Sequence, residues 1–363
     1  MQTYLEKTVK YKGGLFEFIL KEWLLLASAS GLALTSIYIK RFPTYSSGEI
    51  EVLFFLFILF ITIKGLEHSG FLLRISQSIQ QGSFLPFKLV MLTFFLSMVI
   101  TNDVALIVIV PLTLMLDVKP KDIIVIAEAV AANAGSALTP FGNPQNLFIY
   151  WFYQLSPVEF IKAISMFPLL FFVLLLLFLL PIKTNANQQA EMEMAKIKKN
   201  AYIYLTMLCA VILIILRVLP LWTGFITVIY VLLIDRKNLK IDYALLITFL
   251  FFFGLAENMR ILLGSKLTSS GHIFLFSAIV SQFMSNVPTA LMLAKVTTQW
   301  KALLWGTNIG GFGSLVGSLS NLIAYRLYTR HKNTNNSVGF TMKFLVIGYA
   351  AFFLGVGFYF FIE

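Results

Sequence analysis

The chain has 363 residues, 58% hydrophobic and 12% charged, with a mean hydropathy of +0.84; this composition excludes a water-soluble globular domain and places the chain in a lipid bilayer. Its net charge of +11, from 28 basic and 17 acidic residues, does not mark a nucleic-acid surface, because no stretch free of apolar segments exists to carry one. The single cysteine, Cys209, and the scattered His68, His272 and His331 give neither a disulfide framework nor metal-ligand spacing, so no metal and no cofactor beyond a coupling ion (Na+ or H+) is expected.

Residues 1–49 form an N-terminal segment with the first transmembrane helix, the apolar run Trp23–Ile39. It is preceded by Lys21-Glu22 and followed by Lys40-Arg41, not by a small-residue cleavage site, and so reads as a retained span. Residues 50–182 form a first repeat. Its apolar run at 84–100 leads to Thr101-Asn102-Asp103, and the run at 104–115 that follows ends before Asp117 and Lys119. That outgoing arm is too short for the ~20 residues of a spanning helix. Sub-length arms joined by a polar tripeptide predict a re-entrant hairpin whose tip stops inside the membrane. A stretch containing Gly135, Ser136, Thr139, Pro140, Gly142, Asn143, Pro144 and Asn146 then predicts a broken helix, since glycine and proline interrupt continuous helix. The charge-free run at 164–182 reads as one continuous span.

The most polar internal stretch, 183–200, is a solvated linker. Residues 201–363 form a second repeat, beginning with apolar runs at 201–216 and 218–234. Glu257 and Arg260, three apart on a helix, read as a structural ion pair. A second hairpin enters along 272–284, turns at Ser285-Asn286-Val287 and leaves along 287–294, which carries Thr289, before Lys295. A second break carries Asn308, Gly310, Ser314, Ser318 and Asn321, and the run 344–362 is the last span. The positive-inside rule assigns Lys7, Lys10 and Lys12, then Lys196, Lys198 and Lys199, then Arg236, Lys237 and Lys240 to the cytoplasmic side of an inner membrane.

The two halves align. Shifted by 175 residues, NAGSALTPFGNPQNLFIY from Asn133 lies over NIGGFGSLVGSLSNLIAY from Asn308 without a gap, and the tips pair Asn102 with Asn286. Two different motifs in the same order on either side of a linker point to an internal repeat. Unwound backbone in hydrocarbon is tolerated only where it lines a cavity or is buried in protein. Two tips and two breaks meeting at one place would offer amides, carbonyls and hydroxyls at half-helix ends to a small ion. The candidate site is therefore Thr101, Asn102, Asp103, Gly135, Ser136, Thr139, Asn143, Asn146, Ser285, Asn286, Thr289, Asn308, Gly310, Ser314, Ser318 and Asn321. An acid at a hairpin tip is costly to bury and usually functional, so Asp103 is a candidate proton carrier, the alternative being an N-cap for a helix starting at Val104. Glu128, inside an apolar helix, is either a second coupling group or a buried acid paired elsewhere.

The motifs TNDVAL with GSALTPFGNPQNL, and SNVPTAL with GTNIGGFGSLVGSLSNL, resemble the ion transporter superfamily of citrate and dicarboxylate symporters, arsenite permeases and certain sodium/proton antiporters. The resemblance runs from about residue 50 to the C-terminus. It implies an all-α polytopic protein of two inverted-topology repeats, a homodimer, and elevator-type movement. Sodium-coupled dicarboxylate members carry Ser-Asn-Thr at both tips, whereas this chain has Thr101-Asn102-Asp103 and Ser285-Asn286-Val287. The Asn102-Asp103 pair is more like arsenite permeases, and the GNPQNL stretch more like the carboxylate members. Secondary transport of a small anion, coupled to H+ or Na+, is the leading expectation; arsenite efflux, with a separate ATPase as a possible partner, and Na+/H+ exchange are the alternatives. No HExxH, GxSxG or GxxxxGK[ST] pattern is present, which argues against an intramembrane enzyme and against an ATP-driven pump in this chain alone.

Overall fold

The computed structural model describes residues 22–78, 84–116, 119–182, 194–263, 269–331 and 337–363. Among them are seventeen α-helices and no strand, as expected for a polytopic membrane protein whose backbone groups must be satisfied within each segment. The early lysines at 7, 10 and 12, Asp117, and the start of the linker lie outside the described residues. From 194 onward the linker is tied down: Ala195 N donates to Gln77 Oε1 at 2.7 Å and Lys198 N to Ser69 O at 3.0 Å.

The helices follow the apolar runs closely. α1 is Trp23–Ile39, α2 Ser47–His68, and α3 the short Phe71–Ser78. α2 starts at a capping box in which Ser46 and Glu49 satisfy each other's backbone amides. The first hairpin is α4 (Leu85–Ile100) and α5 (Asn102–Met115), and the first broken helix is α6 (Lys121–Ser136) and α7 (Pro144–Phe152). α8 (Pro157–Ile164) and α9 (Met166–Leu179) follow. The run 164–182, expected as one continuous span, is helical beyond Ile164 only over Met166–Leu179, and a 45° bend at its start separates it from α8. Pro168 explains it: the residue has no N–H for the carbonyl of Ile164, and its ring crowds that carbonyl, so the bend falls at Ser165.

In the second half come α10 (Asn200–Ile215), α11 (Gly224–Leu233) and α12 (Tyr243–Leu263). The run 218–234 is likewise shorter than expected as a helix, because Pro220 leads into a single 3-10 turn at Leu221–Thr223 before α11 begins. Then follow the second hairpin, α13 (Ser270–Met284) and α14 (Asn286–Ala294), the second broken helix, α15 (Trp300–Gly310) and α16 (Leu319–Thr329), and α17 (Ser337–Ile362). α12 and α17 are long and apolar enough to cross a membrane singly, and α8 with α9 can form a third span. His68, His272 and His331 lie near helix ends as expected; His68 Nδ1 is 2.6 Å from Asn238 Oδ1.

Two packed blocks are apparent. α1, α2, α10, α11 and α12 pack on one another, while the two hairpins and two broken helices form a second body: α4 on α6, α13 on α15, α5 on α16, and α14 on α7. Close approach in the second body depends on missing side chains. A Cβ on Gly135 would fall 2.1 Å from Phe94 O, and one on Gly310 would fall 2.5 Å from Ser281 Cβ. The pairs occupy matched places, with α6 against α4 and α15 against α13.

Candidate substrate site

Each hairpin turns within one residue. Thr101 sits at φ 83°, ψ 146° and Ser285 at φ 75°, ψ 155°, a region that suits only glycine and costs of order 1–3 kcal/mol at any other residue. The strain is held by the broken helices, since Asn102 N donates to Gly142 O at 3.1 Å and Asn286 N to Gly317 O at 2.9 Å. A side chain from each break reaches the hairpin too: Thr139 Oγ1 donates to Met98 O at 2.7 Å, and Ser314 Oγ to Gln282 O at 2.8 Å.

Buried asparagines then cross between the halves. Asn133 Nδ2 donates to Asn321 Oδ1 at 2.9 Å, and Asn308 Nδ2 to Asn146 Oδ1 at 2.8 Å. The amides of Asn146 and Asn321 in turn hold the unwound carbonyls of their own breaks, those of Ser136 and Ala137 at 3.3 and 3.2 Å, and those of Gly311 and Ser314 at 2.9 and 3.0 Å. Asn143 accepts from Asn146 N and Ser318 from Ser320 N, which starts α7 and α16 at equivalent points.

Above this network is a cavity of about 170 Å³. Both tips open onto it through Asn102 and Asp103 and through Ser285, Asn286 and Val287, as do the first turns of α7 (Pro144, Gln145) and α16 (Ser318, Leu319). The N-termini of four helices thus converge on it, and the positive ends of their dipoles favour negative charge. The opposite wall comes from the other block, from Trp23, Leu24 and Leu25 at the start of α1 and Leu245, Thr248 and Phe249 of α12. Three charged side chains not tied to the expected site also reach it: Glu22, Asp242, whose carboxylate accepts from Leu245 N, and Arg326 of α16, which is exposed and whose guanidinium has no partner among the described residues.

Of the expected site residues, Asn102, Asp103, Ser285, Asn286 and Ser318 line the cavity. Thr101, Gly135, Ser136, Thr139, Asn143, Asn146, Thr289, Asn308, Gly310, Ser314 and Asn321 stand behind it, in the bonds and close contacts that set tips and breaks. Asp103 lies inside the first turn of α5 rather than capping it, and its carboxylate accepts from Ser320 Oγ at 2.6 Å. Glu128 is fully buried away from the cavity, bonded through one oxygen to Thr113 Oγ1 of α5, with its other oxygen unpartnered. Glu257 pairs with Arg260 at 2.8 Å as expected, within a larger cluster that includes Lys295 and Glu49.

Gln145, Asn133 and Arg326 were not expected. Gln145 lines the cavity at 1% exposure with neither amide atom hydrogen-bonded. Buried polar groups left bare cost about 1–3 kcal/mol each. Asn133 joins the first tip to the second break, since Asn102 Nδ2 donates to it at 3.3 Å; at the matched place Asn308 Oδ1 has no partner.

Facing hairpins, broken helices and a cavity between two packed blocks, lined mainly by apolar side chains with polar tips and helix ends among them, define a membrane transporter. The chain belongs to the citrate transporter family, whose profile, described as "Citrate transporter", matches residues 18–305. It is similar to an uncharacterized transporter of Methanocaldococcus jannaschii, 34% identical over 343 residues that cover 90% of this chain and 92% of that one. It is similar also to the inner membrane protein YbiR of Escherichia coli, 34% identical over 295 residues covering 74% and 77% of the two chains. A silicon efflux transporter of Oryza sativa is 22% identical over 384 residues, covering 77% and 79%. The family, the archaeal relative and the plant relative are described as transporters, as the sequence leads one to expect, and not as enzymes.

Proposed function

We propose that the protein is a secondary active transporter that moves a small anion, a carboxylate or an inorganic oxyanion, across the cytoplasmic membrane. The observation that carries this reading is the meeting of four helix N-termini, the bare Gln145 amide and the unpaired Arg326 at one cavity. The family description and the inner-membrane relative support it. The matched tips, breaks and crossed asparagine bonds support two inverted-topology repeats. The placement of the cavity between two blocks supports an elevator movement, in which the body of hairpins and broken helices slides against α1, α2 and α12.

Coupling is assigned to Asp103, the acid of the first hairpin tip, with Glu128 as a second candidate; H+ suits a carboxylate facing the cargo better than Na+, although the family includes both. A second reading, efflux of an uncharged hydroxide acid such as arsenous or silicic acid, is favoured by the acids Asp103 and Asp242 at the cavity and by the similarity to a silicon efflux transporter. The test is uptake of labelled citrate, succinate and arsenite into proteoliposomes under a proton gradient, a sodium gradient or neither, with Asp103→Asn and Glu128→Gln alongside. Carboxylate accumulation that requires the proton gradient and is lost in Asp103→Asn supports the reading. Gradient-independent arsenite flux, with no carboxylate movement, overturns it in favour of the second.

A further inference from the structure

The two halves place equivalent residues at the cavity, but they do not complete it equally. Asp103, in the first turn of α5, has its counterpart in Val287, in the first turn of α14; Ser320, in the first turn of α16, has its counterpart in Gln145, in the first turn of α7. On one side the pair is closed, with Ser320 Oγ donating to the Asp103 carboxylate at 2.6 Å. On the other side that carboxylate has no counterpart at the matched position. Val287 is apolar, and the Gln145 amide, 1% exposed and lining the cavity, has no partner on either its nitrogen or its oxygen.

The backbone frame around both pairs is the same. Asn102 N and Asn286 N each donate to the glycine of the facing break, Gly142 and Gly317, at 3.1 and 2.9 Å, and the asparagines behind them cross in the same way. A buried amide at a helix N-terminus, without the acceptor that its counterpart possesses, marks the place where an acceptor from outside the chain would complete the site.

We propose that Gln145 and the N-termini of α7 and α14 form an oxyanion subsite, in which one carboxylate of the cargo takes the position that Asp103 takes in the other half. The cargo's oxygens accept from the Gln145 amide and the helix-end N–H groups. Val287 keeps that place free of a fixed negative charge, so that the anion brings it. Arg326, on the stripe of α16 that includes Leu319 and Leu322, lines the same cavity and favours a cargo with a second negative group. The proposal rests on the anion reading given above and goes beyond it by fixing where the carboxylate sits and which residue leaves room for it.

Binding of labelled citrate, succinate and arsenite to the purified, detergent-solubilised protein separates the possibilities, with Gln145→Leu, Val287→Asp and Val287→Ala compared. The expected result is that the wild type binds a carboxylate, that Gln145→Leu weakens it at least tenfold, about 1.4 kcal/mol, and that Val287→Asp abolishes it while the uncharged Val287→Ala weakens it less. Val287→Asp should remain folded, with a melting temperature no lower than that of Val287→Ala, because its carboxylate acquires the Gln145 amide. Carboxylate binding by the wild type that neither Gln145→Leu nor Val287→Asp changes overturns the subsite and leaves the anion reading intact. Binding of arsenite with no carboxylate binding in the wild type overturns both.

Discussion

Lys295, at the end of α14, is the cation that joins the second hairpin to the other block. Its Nζ lies 2.6 Å from Glu49 Oε1 of α2 and 3.3 Å from Glu257 Oε2 of α12, with side-chain exposures of 7%, 1% and 11% for the three residues. Glu257 keeps a second partner, Arg260, at 2.8 Å. In Lys295→Met the loss therefore falls on Glu49, whose Oε2 accepts from Ser46 N and Oγ at 2.7 and 3.0 Å, but whose Oε1 would face the protein interior without a cation. Removing one partner of a buried pair costs about 3–5 kcal/mol, whereas replacing both by neutral groups is often close to neutral. Unfolding titrations in mixed micelles should show Lys295→Met destabilised by about that amount. Adding Glu49→Gln should recover at least about 2 kcal/mol of it, since the amide still serves the capping box. A single variant within about 1 kcal/mol of wild type, or a double variant no better than the single, would refute the assignment of Glu49 as the dependent charge.

Gly135→Ala would drive a Cβ to 2.1 Å from Phe94 O, and is expected to cost about 1–3 kcal/mol or more and to impair transport; Gly357→Ala, with nothing within 4 Å, should be neutral or stabilising by up to about 1 kcal/mol, as thermal melts of both would show. Asn308→Leu leaves Asn146 Oδ1 without its 2.8 Å donor and should destabilise by about 1–3 kcal/mol while reducing transport, measured by unfolding and uptake on one preparation. Trp151 Nε1 donates to Glu51 Oε2 at 2.7 Å across the block boundary, α7 to α2. In a Cys209→Ser background, Glu51→Cys with Trp151→Cys and a short bifunctional reagent should stop uptake while cargo binding persists; full transport after cross-linking would argue against relative movement of the blocks there.

Helix positions were legible wherever apolar length and proline agreed, and α1 falls on the run Trp23–Ile39. The misreadings at 164–182 and 218–234 share one cause. Hydropathy measures solvent preference and is indifferent to whether a proline inside or beside the run removes a backbone donor. Pro168 and Pro220 were visible, but a proline is also compatible with a continuous span when neighbouring groups satisfy the freed carbonyl. The tips were legible for the opposite reason: a polar tripeptide between arms too short to cross has few other places to go.

The site was half legible, and the missing half has a geometric origin. Aligning one half on the other pairs Asn133 with Asn308 and Gln145 with Ser320, but the bonds run between non-equivalent positions of opposite halves, Asn133 to Asn321 and Ser320 to Asp103. Internal alignment reports which residues are alike, whereas function here depends on which residues face each other. A usable signal was nevertheless present. Leu319, Leu322 and Arg326 recur at helical spacing beyond the second break, a stripe that puts a cation on the same face as the apolar residues nearest the unwound segment. The departures from symmetry, Asp103 against Val287 and Ser320 against Gln145, are also readable as letters. Their meaning appears only when one pair is seen closed by a hydrogen bond and the other open at a cavity, because a frame that repeats so closely makes its unrepeated residues the ones free to recognise something outside the chain.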